Sequence, residues 1–131
     1  VRLLLDTHIA LWSLSDDPRL STAARALILE PANEICVSAV TLWEIAIKHG
    51  LGRTGPNAMP ISAAEAQALF VASGYSLIAI TPEQAVLVGT LPPIHADPFD
   101  RLLVAQGLTE GLRLVTHDAV MAAYNERIFR V

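Results

Sequence analysis

Apolar residues in this chain fall into short solid runs, separated by longer segments in which they recur at helical spacing. Leu3-Leu4-Leu5, Ile35-Cys36-Val37, Leu77-Ile78-Ala79-Ile80 and Arg113-Leu114-Val115 read as strands, and Ile128-Phe129 as a fifth at the edge. Runs without polar alternation are the mark of strands buried on both faces, as in parallel sheets. Between them the helix punctuation is regular. Ile9 to Trp12 forms an apolar helix face that stops before Asp16-Asp17-Pro18. Ser21 caps a helix from Thr22 to Glu30, and Ser38 caps one that carries Leu42, Trp43, Ile45, Ala46 and Ile47 and ends near Gly50. Gly52 to Pro60 reads as an exposed loop. Ser62-Ala63-Ala64-Glu65 is a capping box that opens a helix to about Ser73, with Gly74 as its stop. Thr81-Pro82-Glu83-Gln84 and Asp97-Pro98-Phe99-Asp100 each open a helix with cap, N1 proline and a polar N3 residue in place, the second running to Gly111. Asp118 starts a last short helix. Alternating strands and helices predict an α/β fold, a three-layer α/β/α sandwich around a central, mostly parallel sheet.

Composition sets the bounds. The chain has 131 residues, 53% of them hydrophobic and 17% charged, which predicts one compact domain over residues 1–131. A domain of this size needs no disulfide or structural metal to stand. The single Cys36 agrees, and it points to a reducing compartment, so a cytoplasmic location is expected. The mean hydropathy of +0.45 raises the question of a membrane. The longest apolar run, Ala119 to Tyr124, is far short of the roughly 20 residues a span requires. No membrane association and no secretory leader are expected. Thirteen acids against nine bases give a net charge of -4, which argues against a general nucleic-acid coat but not against an enzyme that touches nucleic acid briefly.

The fold class directs attention to the carboxyl ends of the strands, where open parallel sheets hold their sites. Acids recur there. Asp6 follows the first strand directly, and Asp118 follows Val115-Thr116-His117. Glu44 sits in the second turn of the helix leaving the second strand, and Asp100 in the first turn of its helix with Asp97 at the cap. Carboxylates converging on one edge repel unless a cation lies between them. Mg²⁺ or Mn²⁺ suits oxygen ligands. Zinc does not fit, because Cys36 is alone and no His pair has a ligand spacing. Asp97, Asp100 and Asp118 also fit a purely structural account as helix-entry acids, and Glu44 with Lys48 is an i,i+4 pair of a kind common on solvated faces. Asp6, straight after a buried leucine run, requires either donors or a metal. Lys48, His49 and Arg53 after Glu44, with Arg101 beside Asp100, form a loose basic cluster that fits either a phosphate-contacting rim of Lys48, Arg53 and Arg101 or an ordinary solvated surface. His8 and His117 flank Asp6 and Asp118, placed to contact a phosphate or tune a carboxylate. His49 and His95 read as surface or loop residues, and Trp12 and Trp43 as core packing.

Four stretches then make a pattern: Leu3-Leu4-Leu5-Asp6-Thr7-His8, Val37 to Lys48, His95 to Gln106 with its Asp97-Pro98-Phe99-Asp100-Arg101 core, and Leu114-Val115-Thr116-His117-Asp118. In this order they resemble the PIN-domain ribonucleases, in particular the VapC-type toxins of bacterial toxin–antitoxin pairs, across essentially the whole chain. The resemblance implies an acidic quartet of Asp6, Glu44, Asp100 and Asp118 holding one or two Mg²⁺ or Mn²⁺ ions, with Glu44 either ligating or orienting the attacking water. It implies Thr116 and Thr7 as supporting hydroxyls, Asp97 as an additional acid at the metal, and no catalytic role for His117. Hydrolysis of an RNA phosphodiester is expected, in a structured RNA such as a transfer RNA, together with a VapB-type antitoxin whose arginine-bearing tail occupies the acidic site. Homodimerisation is also implied, with apolar surface from Ala64 to Val71 and Ala85 to Val88.

Two other classes compete. One is another Mg²⁺-dependent phosphotransfer domain. Thr7-His8 after Asp6 lacks the second aspartate of an aspartyl-phosphate phosphatase, and no late strand ends in the lysine of a receiver. The other is a non-catalytic module with the PIN-like fold, which the presence of every acidic position disfavours.

Overall fold

The structure, a computed structural model, describes residues 1–56 and 58–131; Asn57, in the loop expected from Gly52 to Pro60, lies outside the described residues. Five strands, β1 (Arg2–Leu5), β2 (Glu34–Ser38), β3 (Ser76–Ile78), β4 (Arg113–Thr116) and β5 (Phe129–Arg130), form one sheet in the order β3-β2-β1-β4-β5. Every pairing is parallel, with Leu4 of β1 opposite Cys36 on one side and Leu114 on the other. The all-apolar strand reading is explained by position. Leu3, Leu4 and Leu5 are fully buried because β1 is central and helices cover both of its faces.

Strand periodicity divides the core into two. Leu3 and Leu5 point to one side, where they pack with Ile9, Ala24, Ile45 and Phe70. These come from α1 (Thr7–Ser15), α2 (Thr22–Leu29), α3 (Ala39–Gly50) and α4 (Ala63–Ala72). Leu4 points the other way, into a cluster with Val40, Leu103, Val104, Leu114 and Met121. That layer is built by α6 (Pro98–Glu110) and α7 (Ala119–Ala122), with α5 (Pro82–Val88) packed on α6. The result is the expected three-layer α/β/α sandwich. Because β2 and β3 extend the sheet to one side of β1 and β4 and β5 to the other, the crevice of a topological switch opens beyond the carboxyl ends of β1 and β4. Gly111 ends α6 in the left-handed conformation (φ 66°), turning the chain straight into β4.

Two expectations are corrected. The third strand is Ser76–Ile78 and only half-buried, whereas the sequence suggested a fully buried Leu77–Ile80. It pairs with β2 alone, and beyond it the Ala79 carbonyl accepts a bond from Gln106 Nε2 (3.0 Å), not from a neighbouring strand. Trp43 is not core: it is 54% exposed, with its ring edge-on to Phe99 at 4.9 Å. The buried stripe of α3 is Val40, Thr41, Glu44 and Ile45, so Trp43 and Ile47 fall on the outer side. Trp12 is half-buried, on the rim of a cleft.

Truncating Leu4→Ala removes a side chain enclosed on every side and is expected to cost about 2–5 kcal/mol. Leu29→Ala, at a residue 77% exposed, should stay within about 0.5 kcal/mol of the parent. Urea unfolding of the two variants beside the parent checks the contrast; equal losses would contradict this assignment of the core.

Candidate active site

The crevice is built by helix starts. Asp6 ends β1 and caps α1: its Oδ1 accepts from the Ile9 N–H (2.8 Å) and its Oδ2 from the Thr116 hydroxyl (2.5 Å). Its own N–H continues the ladder to the Val115 carbonyl (3.0 Å), which locks it beside β4. Asp118 caps α7, with Oδ1 accepting from the Val120 N–H (2.8 Å). Asp97 caps α6, with Oδ1 accepting from the N–H groups of Phe99 (2.8 Å) and Asp100 (3.1 Å). Asp100 follows in the first turn of α6. Glu44, only 2% exposed, is held from α3 by the Thr7 hydroxyl on Oε1 (2.7 Å) and by Lys48 Nζ on Oε2 (2.5 Å).

Asp100 shows how crowded the acids are. Burial first, then the charges of Asp97, Glu44 and Asp6, push its carboxyl from an ordinary 3.8 to about 7, with His95 opposing. Burial also pushes Asp6 up, against the bonds from Thr116 and Ile9. Asp118 is different. Burial acts to raise it, but the Val120 N–H, the His95 ring and the Met121 N–H outweigh burial and hold it below its usual value. A set of hard oxygen donors in which one acid keeps a proton near neutrality fits a divalent cation, whose charge would relieve the repulsion. Cys36 is buried in the middle of β2, so the set holds no thiolate.

His95 is the residue the sequence reading missed. It was expected on the surface, yet its Nε2 lies 3.1 Å from Asp100 Oδ2 and 3.0 Å from Asp118 Oδ2. His95, Asp100 and Asp118 offer ligand atoms within 4.8 Å of one another, a cluster able to hold a metal ion. The Asp97 N–H donates to Nδ1 (3.1 Å), so in the neutral ring the proton sits on Nε2, facing the carboxylates. The signal was available: a residue two positions before an N-cap at the rim must itself lie at the rim. Thr41 was also missed; its hydroxyl lies 3.2 Å from that of Thr7, and because Thr7 donates to Glu44, Thr41 donates to Thr7.

The basic residues separate. Lys48 and Arg53 line a cleft of 410 Å³ whose wall includes Thr7 and Glu44. Arg101 turns inward. Its guanidinium donates to the carbonyls of Val88, Leu91, Pro92 and His95 and to the Tyr124 hydroxyl, at 2.9–3.4 Å. Tyr124 also accepts from the His95 N–H (2.8 Å), so Arg101 and Tyr124 together pin the segment that presents the His95 ring.

A pH dependence follows from Asp100 and Asp6. Both have folded-state values above their unfolded ones, so between the two values the folded chain holds protons that the unfolded chain has lost. For Asp100 that interval runs from about 4 to about 7, so stability of the metal-free protein should fall as pH rises through it. Thermal unfolding in EDTA should give a lower Tm at about pH 8 than at about pH 5.5, and Asp100→Asn should flatten the difference. Added Mg²⁺ should raise Tm most at the higher pH, where it displaces no proton. A metal-free Tm that climbs over this range would contradict the crowding described.

Comparison with known proteins agrees with this geometry. The PIN domain family matches residues 3–126. The chain is 36% identical over 117 residues to ribonuclease VapC22 of Mycobacterium tuberculosis, covering 88% of this chain and 86% of that one. Among solved structures, VapC20 of M. tuberculosis, a toxin that cleaves the sarcin–ricin loop, superposes with a TM-score of 0.66 at 17% identity, covering 98% of both chains. A chain of the VapBC2 complex of Rickettsia felis, bound to a fragment of its promoter DNA, superposes at 0.65 with 16% identity, over 98% of this chain and 96% of that one. Matched along nearly its whole length and carrying its acids at the same sheet edge that the fold predicts, the chain belongs to the PIN domain family and is homologous to the VapC-type toxins.

Proposed function

We propose that the protein is a metal-dependent endoribonuclease that acts as the toxin of a toxin–antitoxin pair. The observation that carries this reading is the convergence of acids at the β1/β4 edge, where His95, Asp100 and Asp118 offer ligand atoms within 4.8 Å of one another and Asp97, Glu44 and Asp6 lie near enough to act on Asp100. The relationship to a ribonuclease over most of both chains supports the substrate class. Asp6, Asp100 and Asp118, with Glu44 and with Asp97 beside them, would hold Mg²⁺ or Mn²⁺. Such a cation, when bound, lowers the pKa of a coordinated water and offsets charge on the phosphate.

The chain's own residues set the geometry. Glu44, fixed by Thr7 and Lys48, is the acceptor that orients the attacking water. Thr116 fixes Asp6, and its Oγ also accepts from the Asp118 N–H (3.0 Å), so one hydroxyl ties both strand-end acids together. His95 gives an N–H to Asp100 and Asp118. Lys48 and Arg53, on the cleft wall, face the phosphate side. Attack by water makes no use of the ribose 2′-hydroxyl as nucleophile, so the products carry a 5′-phosphate and a 3′-hydroxyl. A structured RNA such as a transfer RNA is the proposed substrate.

Partners follow from the same surface. An antitoxin tail bearing arginine would neutralise the acids in place of a cation, and the exposed Trp43, Ile47 and Leu51 along α3 offer it apolar contacts. Exposed Leu69, Val71 and Val86 on α4 and α5 support a homodimer. Among the described residues no helix is long and apolar enough to cross a membrane. A cytoplasmic site of action is part of the proposal.

The test is cleavage of a panel of end-labelled RNAs by the partner-free protein with Mg²⁺ or Mn²⁺ and with EDTA. Cuts that require metal and leave 5′-phosphates are expected. Asp6→Asn and Asp100→Asn should each lose activity by about 100-fold or more while remaining folded by circular dichroism. Products ending in a 2′,3′-cyclic phosphate would overturn the mechanism, and full activity in either variant would overturn that residue's assignment.

A further inference from the structure

Three aromatic rings beside the acids take no part in the chemistry above. The His8 and Trp12 rings lie 5.7 Å apart, those of Trp12 and His117 4.8 Å, and those of His8 and His117 5.8 Å. Both histidines are exposed, and the tryptophan, half-buried, packs against the core on one side while also lining the cleft. All three line the 410 Å³ cleft that reaches Thr7 and Glu44. Their placement follows from the acids. His8 is two residues after Asp6, Trp12 is one helical turn beyond His8, and His117 directly precedes Asp118. The two segments that carry the strand-end acids therefore also build the rings. Arg19 extends the patch: its guanidinium lies over the Trp12 ring, 5.1 Å from the centroid, held by paired bonds to Asp17 (3.0 and 2.7 Å).

The charge balance explains why such a surface is needed. The chain carries -4, Lys48 is bound to Glu44, Arg19 to Asp17, and Arg101 is turned inward. With Arg53 the remaining basic residue of the cleft wall, little positive charge is left to hold RNA by its phosphates. Stacking on aromatic rings needs no net charge, because every base has a π-face. We propose that His8, Trp12 and His117 form a stacking subsite for one unpaired nucleobase next to the bond that is cut. This deepens the nuclease reading and rests on it. The subsite selects a splayed-out base, so the preferred substrate is a loop and not a duplex, and binding depends only weakly on salt.

The experiment uses the Trp43→Phe protein, in which Trp12 is the only tryptophan, and follows its fluorescence with short oligouridylate, oligoadenylate and an abasic ribose-phosphate oligomer in EDTA. Quenching by the base-bearing oligomers and not by the abasic one is expected. In cleavage assays on an RNA the parent cuts, His117→Ala and Trp12→Leu should raise KM about 10-fold with kcat nearly kept, and Trp12→Phe should recover most of the loss. An RNA made abasic beside the cut should be poor for the parent, with no further penalty in the variants. Mn²⁺ affinity by calorimetry should be unchanged in His117→Ala, which also shows that the variant is folded. If RNA is cut but Trp12 is not quenched, or if KM is unmoved in both variants, the subsite is refuted while the nuclease reading stands. Quenching without metal-dependent cutting would refute the nuclease reading and keep the binding surface. A protein that neither binds nor cuts RNA refutes both.

Discussion

Repulsion among carboxylates gathered past β1 and β4 is the constraint that the rest of this structure answers. The fold meets it by dividing the oxygens of its acids. Asp6 and Asp118 each give one oxygen to the backbone N–H groups that open a helix, and the other to a side chain at the rim, Thr116 or His95. Asp97 gives one oxygen to two N–H groups of α6. Unsatisfied N–H groups at a helix start carry partial positive charge, so each cap stabilises the charge it is needed to bind. Glu44 has no helix start to lean on, and the Thr7 hydroxyl and Lys48 take that role. Asp100 has the His95 ring, and burial, then the charges of Asp97, Glu44 and Asp6, push it to about 7.

This division also resolves what a sequence leaves open. Read singly, Asp97 and Asp118 have the positions of ordinary helix caps, and read together they have the placement of metal ligands. The two accounts are compatible because capping occupies one oxygen of a carboxylate and leaves the second. The strand runs, the helix starts and the sheet edge on which the acids meet were legible because each follows from local chemistry: a solid apolar run, a cap, a proline at N1. Less legible was whatever depends on a partner distant in sequence. The outer position of β3, and with it its short length, is decided by which strand it fails to meet. The inward turn of Arg101 is decided by carbonyls of the 88–95 segment. His95 acquires its importance only when α6 and α7 bring Asp100 and Asp118 to the same nitrogen.

Helix α3 shows the cost of building a site in a core. Its buried face carries Thr41 and Glu44, and its outer face carries Trp43 and Ile47, the reverse of ordinary burial preference. A carboxylate buried without partners would cost several kcal/mol, so the chain of hydroxyls from Thr41 through Thr7 to Glu44 is a condition for the helix to pack at all. Polar groups so committed are expensive to disturb, and that fixes Glu44 more firmly than a surface acid could be fixed.

An acidic protein with the proposed function, acting on a polyanion, has to separate attraction from selection. Attraction at the reacting phosphate would fall mainly to the cation that the acids would hold, since Lys48, Arg19 and Arg101 are engaged by Glu44, Asp17 and the backbone and leave Arg53 as the basic residue of the cleft wall. In the proposed reading, selection then falls to shape and to π surface along the cleft. Such a division keeps nonspecific affinity for nucleic acid low, because that affinity grows with the number of phosphates neutralised. It would also let one site serve two opposite occupants. A cation held there would bring phosphate to the carboxylates, and a guanidinium from a partner, taking the same oxygens, would close them to it.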